Sequence, residues 1–369
     1  MVKTSPQSLH FLTHASKDAA DWPFYQSMRH TNTKVTVFGN SVSLKYPRRL
    51  WLYVVGWPRL FLSGFTLAGQ SIQALQPATI VTAHDHMILQ AYKIRRFWSL
   101  KARRTPHRLV LHGFIFTQRS SQALNILRKI YFGTLFRGVD LIICHSNHEI
   151  PNIRTLVNTT KTSVQAVHYG IGEGDIIKAW WSDFQGGKAE PSVHSPLRIL
   201  SAGRSSRDYA SLANAMKLLS SGYACDIICD SYEVAPKAIE GGSVTVHRNV
   251  YGHEYTQKIL AADIVMIPIA ADDISAGQMV LLHALAAARP VILTKTPTSS
   301  EYIEDTALTR LVPPANPEAI ASAIDDISKL LPLSTDNRNT IRRLFDDKFS
   351  DAAHGRTVYR LFSETFALE

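Results

Sequence analysis

The sequence predicts an α/β protein of two domains, each a parallel sheet covered by helices on both faces. Three observations carry that expectation. Short apolar runs of strand length alternate with helix-length segments along both halves of the chain. A polar stretch from Gly172 to Pro196, broken by Gly174, Gly186, Gly187, Pro191 and Pro196, separates the two series. The charge also divides there. Residues 1–170 hold 21 Lys and Arg against 5 Asp and Glu, a surplus of 16, whereas residues 171–369 hold 19 against 25, a net of −6.

In the first half the expected strands are Ser8–Thr13, Lys34–Phe38, Ala78–Thr82, Arg108–Gly113, Val139–His145 and Ser163–His168. Their Val, Ile and Leu runs suit strands buried on both faces. Phe24–His30 is the first expected helix, and Ser121–Phe136 is a basic amphipathic one. Leu50–Gly69 is the most apolar stretch. Its length could span a bilayer, but Pro58 and Arg59 interrupt it. With Trp51, Tyr53 and Trp57 beside Arg48, Arg49 and Arg59, it fits a membrane interface and a buried helix of the first domain equally well. In the second half the expected strands are Leu197–Ser201, Cys225–Cys229, Val244–His247, Asp263–Pro268 and Pro290–Thr294. The expected helices are Tyr209–Ser220, Glu254–Ala262, Gln278–Ala288 and Pro317–Leu331. This gives domains at 1–172 and 197–349, a connection at 173–196, and a last segment, 350–369, that returns to the first domain. Phe345, Phe349, Tyr359, Phe362 and Phe366 are its expected anchors.

Composition narrows the function classes. A chain of 369 residues with 45% apolar residues and a mean hydropathy of −0.05 has ample core for two globular domains. Three cysteines without metal spacing read as reduced core residues of a cytoplasmic protein, and no signal peptide is evident. The basic first half attracts anionic lipid, nucleic acid or a polyanionic acceptor. It carries no nucleic-acid reader motif, so no nucleic-acid partner is expected. There is no GxGxxG or Walker loop, and no metal or other cofactor is expected.

The residues that suggest chemistry lie where strands end. Gly203, Arg204 and Arg207 follow the first strand of the second half, and two guanidinium groups there can grip a diphosphate. Ser275-Ala276-Gly277-Gln278 precedes a helix, with Ser275 as the expected N-cap, and its N–H groups can receive an anion. Both loops leave the carboxyl ends of parallel strands, so they should converge. Arg248 and Val250 lie at the end of another strand, where backbone groups could pair with a nucleobase edge, and Asp273 could bind a sugar hydroxyl. In the first half His84, Asp85, His86, His112, Gly113 and Phe114 follow strand ends.

The second half resembles the nucleotide-sugar domain of glycosyltransferase family 4. The likeness runs through Gly203-Arg204…Arg207, the strand ending at Ile267-Pro268, and Ser275-Ala-Gly-Gln…Leu282-His283-Ala-Leu…Ala288-Arg289-Pro290, about 110 residues. The first half is similar more loosely, through Leu111-His112-Gly113 and Tyr169-Gly170-Ile171. The resemblance implies a GT-B fold: two Rossmann-like domains facing each other across a cleft, with the C-terminal helix crossing back. It implies transfer of a sugar from a UDP- or GDP-linked donor. Arg204 and Arg207 would hold the diphosphate, the 275–278 turn and His283 would stand at the family's Glu-x7-Glu positions, and His112 would face the sugar. Asp85 would be the general base of an inverting enzyme, though the family generally retains. His84, His86, Gly113 and Phe114 fall on the acceptor side. Expected partners are a nucleotide sugar, a lipid-linked or glycan acceptor, and an anionic membrane surface met by the basic domain on the cytoplasmic face. Ser275 and His283 in place of glutamates, and the missing lysine of the arginine–lysine pair, depart from the pattern. They leave open a non-catalytic binding or assembly protein and a nucleotide-sugar epimerase on the same frame.

Overall fold

The computed structural model describes residues 7–15, 17–29, 33–42, 55–116, 121–157, 161–188, 194–203, 206–230, 243–270 and 275–367. The chain divides into two compact units, Met1–Tyr169 with Asp351–Glu369, and Gly170–Ser350.

The first unit holds a six-stranded parallel sheet: β1 (Gln7–Thr13), β2 (Thr33–Gly39), β3 (Thr79–Ala83), β4 (His107–His112), β5 (Leu141–Cys144) and β6 (Ser163–Ala166). The spatial order is β2-β1-β3-β4-β5-β6. Every residue of β3 and β5 is buried, so these strands carry continuous apolar runs. The described α-helices are α1 (Pro23–Gln26), α2 (Trp57–Gln73), α3 (His86–Trp98), α4 (Leu100–Arg104), α5 (Gln122–Leu135) and α6 (Ile150–Arg154). Successive strand residues point to opposite faces. Leu12, Val81 and Leu111 join Leu67, Tyr92 and Phe132 in one core, while Phe11, Ile80 and Val110 join Phe24 and Tyr25 in the other.

The apolar Leu50–Gly69 stretch is in part a helix of this unit; residues 50–54 lie outside the described residues. Pro58 sits in the first turn of α2, where its missing N–H costs nothing. Leu67, Ala68 and Ile72 are buried, and a Cβ on Gly64 would come within 3.2 Å of the Ile88 Cα, so the glycine lets α2 and α3 close. Among the described residues no helix is long and apolar enough to cross a membrane.

The second unit repeats the plan with β7 (Leu197–Ala202), β8 (Tyr223–Cys229), β9 (Val244–Arg248), β10 (Ile264–Ile267), β11 (Val291–Thr294) and β12 (Thr309–Val312). All pairings are parallel, in the order β12-β11-β10-β7-β8-β9. Its α-helices are α7 (Gly174–Gln185), α8 (Tyr209–Leu218), α9 (Gly252–Ala261), α10 (Gln278–Ala286), α11 (Pro317–Ser328) and α12 (Thr335–Lys348). Within the connection expected at 173–196, the apolar run Ile176–Phe184 also reads as a helix, and a helix that packs on this unit lies there. Arginines stack on its aromatic side chains. Arg289 lies 4.9 Å from the Trp180 ring, Arg342 5.2 Å from Trp181, and Arg338 5.7 Å from Phe184. Arg342 also pairs with Glu173 at 2.5 Å and donates to the Ala286 carbonyl at 2.8 Å. Burial pushes the Arg289 guanidinium down to about 9, with neighbouring Arg338 adding to the effect.

The expected tail Phe345–Phe366 is two helices, broken at Phe349–Ser350. Phe345 and Phe349 stay in the second unit, where Phe349 stacks on Tyr302 at 5.5 Å. The last helix, α13 (Asp351–Phe366), belongs to the first unit. There Val358 and Phe362 are fully buried, and the Tyr359 hydroxyl lies 3.1 Å from Thr33 Oγ1. Gly355 is required, since a Cβ would overlap Ser27 and the Phe24 carbonyl.

Candidate functional site

In a parallel sheet, ligands gather outside the carboxyl ends of the strands where the strand order reverses. In the second unit that point lies between β7 and β10. The two loops leaving it are hydrogen-bonded to each other. Asp208 N donates to Pro268 O at 3.2 Å, and Ala270 N to Ser206 O at 2.9 Å. These bonds join the turn after β7 to the start of the loop after β10. Gly203 has φ +139°, a conformation that favours glycine, and the Arg207 guanidinium lies where a Cβ would stand. Arg207 Nε donates to the Ala202 carbonyl at 3.0 Å, which folds the side chain back over Gly203. Tyr209 clamps the turn from below, its hydroxyl donating to Gly203 O at 2.8 Å. Arg204 and Asp273 lie outside the described residues.

On the β10 side the expected N-cap is corrected. Gly277, at φ +90°, is the N-cap of α10, and no side chain caps the helix. The left-handed turn brings the backbone against β10, where a Cβ on Gly277 would stand 2.9 Å from Ile267 Cγ2. Ser275 is half-buried, Ala276 is buried, and Gln278 Nε2 is buried without a hydrogen-bond partner. Among the described residues no side chain caps the first-turn N–H groups of α10, which point toward an acceptor position. His283 lies further along α10, its ring edge-on to Tyr255 at 5.6 Å. Burial holds its pKa below the usual value, against an opposing bond to the Met279 backbone. Arg248 ends β9 and Val250 follows it, at the sheet's edge and two strands from β7. The Arg248 side chain is exposed and that of Val250 is buried in the unit.

In the first unit the order reverses between β1 and β3. His14 follows β1 and Asp85 follows β3, and His14 Nε2 lies 3.2 Å from Asp85 Oδ2. The other carboxylate oxygen, Oδ1, accepts from Met87 N at 2.7 Å and Ile88 N at 2.9 Å, capping α3. Asp85 Oδ1 thus caps α3, while Oδ2 faces the His14 ring. His86 opens α3 and packs edge-on to Trp57 and Phe132, at 6.0 and 5.8 Å. Phe114 is a core residue, 5.1 Å from both Phe132 and Phe136.

The remaining histidines form a cluster. His84, His112 and His145 end or follow the neighbouring strands β3, β4 and β5. The rings of His84 and His112 are 5.0 Å apart, and those of His112 and His145 are 6.2 Å apart. From α13, His354 places its Nε2 3.2 Å from His112 Nε2, and both rings lie over Phe24. Burial lowers all four pKa values: His84 and His145 to about 4, His354 to about 3, and His112 well below the usual range. The four rings are neutral near pH 7, so one Nε2–H of the His112–His354 pair donates to the other's lone pair. Gly113, at φ +79°, leaves room for His145, whose Nε2 would stand 3.3 Å from a Cβ there. His145 and His354 escaped the sequence reading. His145 carries the same strand-end signal as His84 and His112, while His354 has no local signal at all.

Residues 197–329 match the model of group 1 glycosyl transferases. That stretch, which lies within the second unit, is similar to a glycosyltransferase domain. No curated protein matches the chain by sequence. Solved structures match it over nearly its full length. Sucrose-phosphate synthase from Thermosynechococcus elongatus is 15% identical, covers 98% of this chain and 99% of its own, and has a TM-score of 0.65. The Anabaena protein HepE in complex with UDP is 13% identical, with coverage of 97% and 100% and a TM-score of 0.61. The UDP-forming α,α-trehalose-phosphate synthase from Burkholderia vietnamiensis is 11% identical, with 98% and 100% covered and a TM-score of 0.58. At these identities the likeness is one of fold, and that fold is GT-B. The matched stretch includes β7, β10 and α10, the elements that build the second-unit site.

Proposed function

We propose that the chain transfers a sugar from a nucleoside-diphosphate donor, UDP- or GDP-linked, to a lipid-linked or glycan acceptor. In this reading it is a divergent, family 4-like enzyme that works with retention at the cytoplasmic face of a membrane. One observation carries the proposal: the matched domain presents an uncapped helix N-terminus beside a glycine–arginine turn at the reversal point of its sheet. A diphosphate seated there gains charge as the bond to the sugar breaks, and fixed N–H groups with Arg204 and Arg207 stabilise that charge. His283 takes the ribose hydroxyls by hydrogen bonding, as a neutral ring can. The acceptor oxygen forms the new bond to the sugar, and its proton leaves on the departing diphosphate, so the retaining reaction needs no carboxylate base. That agrees with the capping role of Asp85. In the first unit, His112 contacts the sugar, and His354 positions it through the Nε2 pair.

Support for the nucleotide comes from neighbours described with UDP, with UDP and glucose, and as UDP-forming. Charge-assisted phosphate contacts of roughly 1.5–3 kcal/mol mean that Arg204→Ala should weaken donor binding at least tenfold. Calorimetry with a panel of nucleotide sugars, paired with release of the free nucleotide on adding glycan or lipid acceptors, tests the reading. Absence of both binding and release across the panel overturns it. The serine and histidine at the two glutamate positions favour one second reading, a binding protein on the same fold. Tight donor binding without turnover would support that reading, and product formed without acceptor would point to an epimerase.

A further inference from the structure

Most of the first unit's exposed large apolar side chains lie on its helices α2 to α5, and they are not scattered there. The first ten residues of α5, Gln122–Tyr131, include no buried residue, although Leu124, Ile126, Leu127 and Ile130 are among them. Leu127 is 64% exposed and Ile130 is 62% exposed. At spacings of three and four they form an outward apolar stripe. Only from Phe132 onward does α5 bury side chains in the core. The joint between α3 and α4 repeats the pattern: Phe97 and Trp98 are 66% and 75% exposed, and Leu100 beside them is exposed. The two patches belong to one layer. The Tyr131 hydroxyl donates to Gln90 Oε1 of α3 at 3.0 Å, and Lys93 of α3 donates to the Leu135 carbonyl of α5 at 2.6 Å. α2 continues the layer, with Arg95 of α3 donating to the Phe65 carbonyl at 3.0 Å and Leu62 exposed.

Charge names the occupant. Between Asp85 and Asp140 the sequence holds 11 Lys and Arg and no Asp or Glu. Arg103, Arg104 and Lys129 are exposed beside the apolar residues. A protein partner large enough to cover such a layer would have to be strongly acidic and apolar at once. An anionic lipid surface supplies both properties everywhere. Acyl chains receive the aliphatic and aromatic side chains, and headgroup phosphates receive the cations. Trp98 suits that boundary, with an apolar ring and one N–H donor.

We propose that the outward face of α5, continued by Phe97, Trp98 and Leu100, is a monolayer-inserting surface that binds anionic phospholipid. This deepens the membrane-facing part of the proposed function by assigning it to particular side chains, and it is tested apart from sugar transfer. The full chain is floated with phosphatidylcholine vesicles, with and without phosphatidylglycerol. It should associate with the anionic vesicles and leave the neutral ones largely bare. Leu127→Glu with Ile130→Glu should lower the bound fraction at least tenfold, and Phe97→Ser with Trp98→Ser should do the same. Both pairs are exposed, so melting temperature and UDP binding, read on the same samples, should stay unchanged. Absence of wild-type retention on anionic vesicles overturns the proposal, as does retention that neither pair reduces. A concentration-dependent dimer dissolved by the same substitutions also overturns it, making a second copy of the chain the occupant. Wild-type chain that binds UDP but not the anionic vesicles defeats this surface alone, whereas wild-type chain that binds the vesicles but not UDP defeats the donor site alone.

Discussion

The two sheets share a plan and differ at their carboxyl edges. Each has six parallel strands with a reversal point, yet the first ends in ring side chains and the second in glycines. Along β3, β4 and β5 the edge carries His84, His112 and His145, packed with His354 and stripped of charge by burial. Along β7 and β10 it carries Gly203 and Gly277, whose missing Cβ atoms let Arg207 and the start of α10 lie against the strands. A common topology selects where a ligand can sit. The residues at and beyond the strand ends decide whether the place offers neutral ring nitrogens or backbone donors with positive potential.

The largest expected effect comes from filling the glycine edge. Gly277→Val sets a branched side chain at φ +90° and against Ile267. It should weaken UDP binding by more than tenfold and cost roughly 1–3 kcal/mol of stability, read by calorimetry and melting. Unchanged binding would erase the distinction between the two edges. Next is the histidine edge. His354→Gln, which keeps a donor and an acceptor, should lower kcat less than His354→Phe, which keeps only the stacking on Phe24. The His354→Phe loss should be about tenfold in kcat, with the donor KM little changed. A change in KM alone would place His354 outside the chemistry.

The pH dependence sharpens the same contrast. His84, His145 and His354 titrate lower in the folded protein than the 6.5 of an exposed ring, so between pH 6.5 and about 4 the unfolded chain binds more protons. Stability should be at its full value above pH 6.5 and fall as the pH drops toward 4. Melting temperature against pH reads this directly, and replacing His84 with Phe should flatten the curve. The smallest effect concerns Arg248, exposed at the edge strand two places from β7. Arg248→Ala should change UDP affinity by no more than about twofold.

The fold was largely legible because buried parallel strands leave continuous apolar runs: eleven of the twelve strands fall on segments the pattern picks out. The exception, Thr309–Val312, is short and only partly buried, so its pattern is weak. The helix Gly174–Gln185 shows in the sequence only as the run Ile176–Phe184 inside a polar connection, because it is held by stacking against arginines more than a hundred residues away. At the sites, glycines with positive φ were readable from the turn they had to make. Ser275 looked like a cap because local sequence does not reveal that Gly277 turns the chain two residues later. Asp85 looked like a base for a similar reason: its bonds to His14 and to α3 depend on strand order, not on spacing. His354 was invisible in principle, since it reaches His112 across 242 positions of sequence.

Hydrogen exchange on the full chain with and without UDP tests the central claim most directly. The account predicts new protection at residues 203–208 and across the first turn of α10, with little change at β9 and at the histidine edge. Protection centred on the histidines, or no change at 203–208 and 277–281 under saturating UDP, would contradict it.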